Sequence, residues 1–143
     1  MLNAHDVADF FLSSAENEDG ERISHLKLQK LLYYAQGYSL ALLNRPLFPE
    51  AIEHWTHGPV VAIVYQRYKN YGNGLLPVSH IEVEKYEDEE LYVLNRVRNE
   101  KGQYSAWKLR DMTHEEYPWL STEPGEVILT QVISDYFHEV VPK

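Results

Sequence analysis

The sequence contains no cysteine among its 143 residues. This absence excludes disulfide bonds, thiolate metal sites and cysteine nucleophiles, and it fits a reducing compartment. The chain also lacks an apolar run near the ~18 residues of a membrane span. Its first residues show no basic segment followed by a long apolar one, so they do not resemble a signal peptide. We therefore expect a soluble, cytoplasmic protein with no membrane partner.

Basic side chains are also scarce, with 13 Lys and Arg against 22 Asp and Glu and a net charge of −9. Because nucleic-acid binding depends on cations that neutralise phosphates, this balance disfavours direct binding to DNA or RNA. Aromatic side chains, by contrast, are plentiful, with 11 Tyr and 3 Trp. Such residues dominate protein interfaces, although they also build ordinary cores. The length predicts a single domain over residues 1–143.

Familiar catalytic and cofactor motifs are missing too, including Gly-rich phosphate loops, nucleophile elbows and H-E-x-x-H. His54 and His57 could share a zinc ion if they lay on one helix. Trp55 and Gly58-Pro59 instead favour a strand and a turn, which place the two imidazoles on opposite faces. The cluster His114–Glu116 has acid–base character but fits a helix end, where positive charge is favoured. The sequence thus predicts no catalytic residue, no cofactor and no metal.

Residues 25–43 carry the densest helical pattern of the chain. Leu28, Leu31 and Leu32 begin an i, i+3, i+4 stripe, and the remaining positions are also largely apolar or aromatic. A helix that is apolar nearly all round is a buried one, so this segment is predicted to be the central helix. Ser24 is its predicted N-cap. The polar residues within it need hydrogen-bond partners or a route to water: Lys27, Gln29, Lys30 and Gln36.

Other helices are predicted around this one. The first begins at Asn3, with Asp6 placed to complete a capping box, and a solvated loop over residues 14–22 follows it. The next has Pro59 at its first helical position, where proline is favoured. Three later helices are predicted from their caps or ends: one that ends at Lys101-Gly102, one capped by Ser105 and one capped by Thr130.

A small amount of β-structure is also predicted. Ile52–Trp55 alternates between apolar and polar residues, as a strand does, and can pair with a second short strand at Glu126–Leu129. The overall prediction is a mainly α protein. It is a compact single-domain helical bundle around a central buried helix, with a small two-stranded β element.

Several short motifs occur in a definite order along the chain: Lys27-Leu-Gln-Lys-Leu-Leu-Tyr33, Pro46-Leu-Phe48, Ile52-Glu-His-Trp55, His57-Gly-Pro-Val-Val61 with Tyr65, Leu109, Thr113-His114, Pro118-Trp119 and Ile133-x-x-Tyr136-Phe137. Together they resemble the Panacea, or SocA-like, antitoxin domain, a family also known as phage-associated proteins of unknown function. The resemblance spans nearly the whole chain. It implies a mostly α-helical domain with a little β-structure, in agreement with the fold predicted from the residues.

The resemblance also implies a function, namely the antitoxin of a toxin–antitoxin pair. The expected partner is a cognate protein toxin, encoded by the adjacent gene and neutralised by direct protein–protein binding. One alternative is an adaptor that delivers the toxin to a protease, which would then be a second partner. The other alternative is a hydrolytic enzyme built on His54, His57, His114 and Glu115.

A set of basic, histidine and aromatic residues is predicted to contact the partner, because a few such residues carry most of the binding energy at interfaces: Lys27, Lys30, Tyr34, Tyr38, Trp55, His57, Tyr65 and Tyr68. The acidic balance of the chain would speed its association with a basic toxin site. Lys27 and Lys30 pose a specific question, since they mark a binding surface only if they reach solvent.

Overall fold

The computed structural model describes residues 1–13 and 22–143, so most of the loop predicted over 14–22 lies outside the described residues. The helices are α1 (Ala4–Ser13), α2 (His25–Leu43), α3 (Ala62–Tyr68), α4 (Asp88–Lys101), α5 (Ala106–His114), α6 (Tyr117–Leu120) and α7 (Thr130–Val140). The strands are β1 (Ile52–Trp55), β2 (Gly58–Val60) and β3 (Val127–Ile128). Short 3₁₀ turns occupy Lys69–Tyr71 and Val83–Lys85. The prediction of a mainly α fold is confirmed.

Helix α2 is the central element, as predicted, and α1, α4, α5 and α7 all pack against it. Its N-cap is Ser24, whose hydroxyl accepts a bond from the Lys27 amide at 3.2 Å. The helix is buried on nearly every side from His25 to Ala41. An amphipathic surface helix would keep one polar face in water, so the all-round apolar pattern correctly identified the core element.

Two glutamines of α2 bind the backbone of segments that lie beyond the helix. The Gln36 amide accepts from the Leu47 and Phe48 amides and donates to the Phe48 carbonyl, at 2.8, 3.2 and 2.8 Å. Gln29 accepts from the Val61 amide at 2.8 Å and donates to its carbonyl at 3.4 Å. These bonds satisfy buried polar groups on both sides, as burial requires.

The first helix begins with the predicted capping box. The Asn3 side chain accepts from the Asp6 amide and the Asp6 carboxylate accepts from the Asn3 amide, both at 2.9 Å. Leu2 and Val7 are buried beside it. Residues Glu87 and Glu90 form a second capping box at the start of α4. Such reciprocal bonds satisfy two backbone donors that a helix cannot pair internally.

The sheet has three antiparallel strands in the order β2-β1-β3. Pairing of β1 with β3 confirms the predicted two-stranded element, with Ile52 opposite Ile128 and Glu53 opposite Val127. The strand β2 is an addition to the prediction. Placing Pro59 at a helix start was wrong, because Pro59 lies in β2 opposite His54 and α3 begins only at Ala62. An edge strand tolerates a residue without an N–H donor.

Two other boundaries differ from the prediction. Residues Tyr117–Leu120 form the short helix α6 where a loop was expected from Trp119 onward. The N-cap of α7 is Leu129 rather than Thr130, because the Leu129 carbonyl already accepts a bond from the Ile133 amide at 3.1 Å. Among residues 1–13 and 22–143, no helix is both long and apolar enough to cross a membrane.

Candidate functional site

A cavity of about 970 Å³ opens where the starts of α2 and α5 meet the β1–β2 turn and α3. It gathers His25 and Lys30 from α2, Trp55 and His57 from β1 and its turn, Tyr65 from α3 and Trp107 from α5. Four of the predicted contact residues line it: Lys30, Trp55, His57 and Tyr65. These four residues come from three separate motifs of the sequence, so the fold brings them to one place.

The side chain of Lys30 lies at the cavity floor and is fully buried. Its Nζ donates a 2.7 Å hydrogen bond to the Pro59 carbonyl. Gly58 makes room for this arrangement, since a Cβ there would lie 2.8 Å from Lys30 Cε, and its φ of 115° disfavours other residues. Burial, and secondly the charge of Arg110, lower the pKa of the Lys30 amine to about 7.

One wall of the cavity is a row of three rings. Trp55 meets Tyr65 edge-on, with ring centroids 4.8 Å apart, and Tyr65 stacks on His25 at 5.2 Å. The His25 ring also faces the Gln29 side chain at 3.0 Å. Burial, and secondly the charge of Lys30, lower the pKa of His25 to about 4, so its imidazole is neutral at pH 7.

A second wall of the cavity carries Trp107, which is 58% exposed. His57 meets this indole edge-on at 5.6 Å. The Arg110 guanidinium lies 5.3 Å from the centre of the same indole, and its Nε is 3.4 Å from Nδ1 of His57. This wall therefore presents a flat apolar ring next to a cation.

His54, which lines the cavity, and His114 stack on the two faces of Trp119, each with a centroid distance of 4.0 Å. Nδ1 of His54 and Nε2 of His114 are both buried, and neither has a hydrogen-bond partner in the described part of the chain. Burial is the largest cause of a lowered pKa at His114. His57 is not part of this stack. Across residues 1–13 and 22–143, no group of three or more His, Asp or Glu is placed to hold a metal ion.

Three of the remaining predicted contact residues are buried tyrosines with internal roles. Tyr34 donates a 2.7 Å bond to the Glu116 carboxylate, which also accepts one from Tyr33 at 2.8 Å. Tyr38 donates to Glu100 at 2.7 Å. Tyr68 is 3% exposed and lies beneath the Arg67 guanidinium. Because α2 is enclosed all round, its aromatic residues serve the core and do not reach solvent.

The two lysines of the first motif also have internal partners. Lys27 is partly buried and its Nζ donates to the Gly102 carbonyl at 2.7 Å, which ties α2 to the end of α4. Lys30 is fully enclosed, as described above. The surface therefore keeps four of the predicted contact residues at least partly accessible: Lys27, Trp55, His57 and Tyr65.

Three residues at the cavity were not predicted as site residues from the sequence: His25, Trp107 and Arg110. His25 directly follows the cap Ser24 in the first turn of α2, and Trp107 is the second residue after the cap Ser105 in the first turn of α5. Those caps were recognisable, and a residue next to a helix start is a candidate for a site. What the sequence does not reveal is that the two helix starts lie at the same cavity.

Comparison with known proteins supports the resemblance drawn from the motifs. The family described as "Antitoxin SocA-like, Panacea domain" matches residues 28–120. The chain is 33% identical over 138 residues to "Antitoxin SocA" of Caulobacter vibrioides (strain NA1000 / CB15N), an alignment that covers 87% of this chain and 73% of that relative. No solved structure matches. The chain therefore belongs to the SocA-like Panacea antitoxin domain family.

Proposed function

We propose that this protein is an antitoxin that neutralises a cognate protein toxin by binding it directly, and that the adjacent gene encodes the toxin. The observation that carries the proposal is the family match over residues 28–120, together with the relative named as an antitoxin. The protein would act in the cytoplasm as a binding module rather than as an enzyme.

The arrangement of the histidines supports binding over catalysis. A general acid or base must come within hydrogen-bond reach of the group on which it acts. His54 and His114 lie flat against opposite faces of Trp119, with one buried nitrogen each, and His57 contacts Trp107 instead. Glu115 is exposed at the end of α5. These four residues therefore do not form a single acid–base centre, which counts against the hydrolytic alternative.

The toxin-binding surface that we propose is the rim of the cavity. Trp55, His57 and Tyr65 are accessible there, and the exposed Trp107 lies next to His57. Aromatic and Arg side chains are the residues that most often dominate protein interfaces, and Arg110 adds a guanidinium beside Trp107. An exposed indole of this size loses contact with water when a partner covers it, which favours association.

The charge of the rest of the molecule supports a basic partner. The net charge is −9, and the exposed start of α4 alone carries Glu87, Asp88 and Glu89. Complementary charge raises the association rate and disfavours wrong partners. A toxin with a basic nucleic-acid or phosphate site would therefore be attracted to this protein before the aromatic rim makes close contact.

Co-expression with the adjacent open reading frame tests the proposal. We expect that open reading frame to arrest growth when expressed alone and to be harmless when this protein is present. The two proteins should co-purify as a stable complex with the toxin intact. A harmless neighbour, or arrest that persists despite expression of this protein, contradicts the antitoxin function. If the toxin level falls, and does so only when a protease is present, this protein is an adaptor that delivers the toxin to the protease and not a direct inhibitor.

A matched pair of histidine variants tests the surface. His57→Ala removes an exposed ring at the rim, whereas His80→Ala removes an exposed ring that does not line the cavity. We expect His57→Ala to weaken toxin binding by about tenfold and His80→Ala to leave it unchanged, as measured by titration calorimetry. Equal affinities for the two variants would place the toxin elsewhere on the molecule.

A further inference from the structure

The cavity differs sharply in charge from the rest of the molecule. The whole chain has 22 acidic residues, yet none of the described residues that line the cavity is Asp or Glu. Lys30 and Lys69 line it, and Arg110 lies behind its Trp107 wall. An acidic protein that keeps carboxylates out of one cavity and places cations there has a local environment suited to an anion.

Two helix starts add to this positive character. The first residues of α2 and of α5 both line the cavity, and these helices are 19 and 9 residues long. The first N–H groups of a helix have no acceptor within it, and the helix dipole places a partial positive charge at the same end. Helix starts therefore bind phosphate and carboxylate groups readily.

A buried histidine gives an independent indication of a ligand. His54 lines the cavity, is only 7% exposed, and its Nδ1 has no hydrogen-bond partner among the described residues. A buried polar atom without a partner destabilises a folded protein, so such atoms are uncommon unless another group completes them. The Lys30 ammonium has three N–H donors. Within the part of the chain that the structure describes, it has one hydrogen-bond acceptor, the Pro59 carbonyl.

The walls of the cavity suit a flat ring. Trp55 and Tyr65 line it as a ring pair, and the largely exposed indole of Trp107 lines it as well. Aromatic side chains bind nucleobases by stacking without strong preference among them. The volume of about 970 Å³ lies within the range of small-molecule sites, roughly 300–1,000 Å³.

We propose that this cavity is a binding site for a nucleoside phosphate. Its phosphate group lies at the starts of α2 and α5, beside His54 and within the electric field of the enclosed Lys30 rather than in contact with it, and its base stacks on the aromatic walls, with Trp107 as a principal contact. The site does not depend on the toxin, so it stands or falls separately from the antitoxin function.

The test is a calorimetric titration of the purified full-length chain with AMP at constant ionic strength. Inorganic phosphate and adenosine are titrated separately, since each carries one half of the proposed recognition. We expect a single saturable site whose affinity for AMP exceeds that for either fragment by at least about tenfold, because both halves contribute to one binding event. No saturable AMP binding, or AMP binding no tighter than phosphate, overturns the proposal.

Three variants test the assigned residues. Lys30→Met removes the buried charge with little change in volume, and it should weaken AMP about tenfold while leaving adenosine unchanged. Trp107→Ala should weaken AMP and adenosine alike. Tyr92→Ala removes a ring on α4 that is 57% exposed and does not line the cavity, and it should bind AMP as the parent does. Unaltered AMP affinity in Trp107→Ala, which changes an exposed side chain and should fold, refutes the assignment even if Lys30→Met does not fold.

Discussion

The buried lysine predicts that the stability of this protein rises between pH 7 and pH 9. Lys30 is fully buried and its pKa falls to about 7, against 10.5 for an unfolded lysine. Between these values the unfolded chain holds a proton that the folded chain has released. The free energy of unfolding therefore increases with pH, by up to about 1.4 kcal/mol per pH unit. From pH 7 to pH 9 the increase amounts to about 2 kcal/mol.

Lys30→Met isolates this contribution. Methionine fills a similar volume without an ionisable group, so the variant should show no lysine-dependent rise across the same range. At pH 7 we expect its stability to lie within about 1 kcal/mol of the parent or above it, because the lost bond to the Pro59 carbonyl is offset by removal of a buried charge. The buried tyrosines do not interfere, since burial raises the pKa of Tyr33 and Tyr38 above 10 and their effect begins above pH 9.

Urea unfolding at pH 6, 7, 8 and 9, followed by far-UV circular dichroism at constant ionic strength, measures both curves. The expected result is a rise for the parent and a flatter curve for Lys30→Met. A parent curve without a rise, or an equal rise in the two proteins, would refute the assignment of a largely neutral Lys30 at high pH. The position of its ammonium beneath Gly58-Pro59 would then need another explanation.

Three further predictions concern the core and its buried polar groups, and urea unfolding measures all of them. Gly37→Ala should destabilise the protein by about 1–3 kcal/mol although alanine favours helix, because the new methyl group would overlap the Phe137 ring. Adding Phe137→Leu to the same chain should restore part of the lost stability. A Gly37→Ala protein more stable than the parent would contradict this packing. Tyr34→Phe should cost about 2 kcal/mol by leaving one oxygen of Glu116 without its donor, and a neutral result would show that water replaces it. The pKa of His25 is lowered to about 4, so the unfolded chain gains the proton first as the pH falls, and the free energy of unfolding should drop by about 1 kcal/mol between pH 6.5 and 5.5. His25→Gln should lack this drop. An equal drop in His25→Gln would assign the effect to another group.

The features that sequence predicted well are those set by neighbours in the chain. Ser24 and Ser105 each accept a bond from a backbone amide three residues later, and Asn3 and Asp6 exchange bonds across the same interval. Gly102 ends α4 as predicted. Such bonds depend on local spacing alone, so the sequence contains what is needed to recognise them.

Features that join distant segments were harder to predict. Proline has no N–H donor, and both a helix start and an edge strand tolerate such a residue. Local reasoning about Pro59 could therefore not decide between the two. Lys30 is 29 residues from Pro59, and its burial follows from that contact. The two helix starts at the cavity, at His25 and Ala106, come together only through the packing of α5 on α2. Tertiary contacts of this kind have no sequence signature of their own.

The two glutamines of α2 give the central helix a role that strands usually have. Gln29 and Gln36 lie two helical turns apart, and each offers one acceptor and one donor to the backbone of a passing segment, as a neighbouring strand would. Bonds to backbone groups do not depend on which side chains that segment carries. Exposed positions beside the attachment points, such as Ala51 and Ile63, are thus free to vary while the chain path stays fixed. A central helix that holds its neighbours by their backbones can in this way support surfaces of very different sequence.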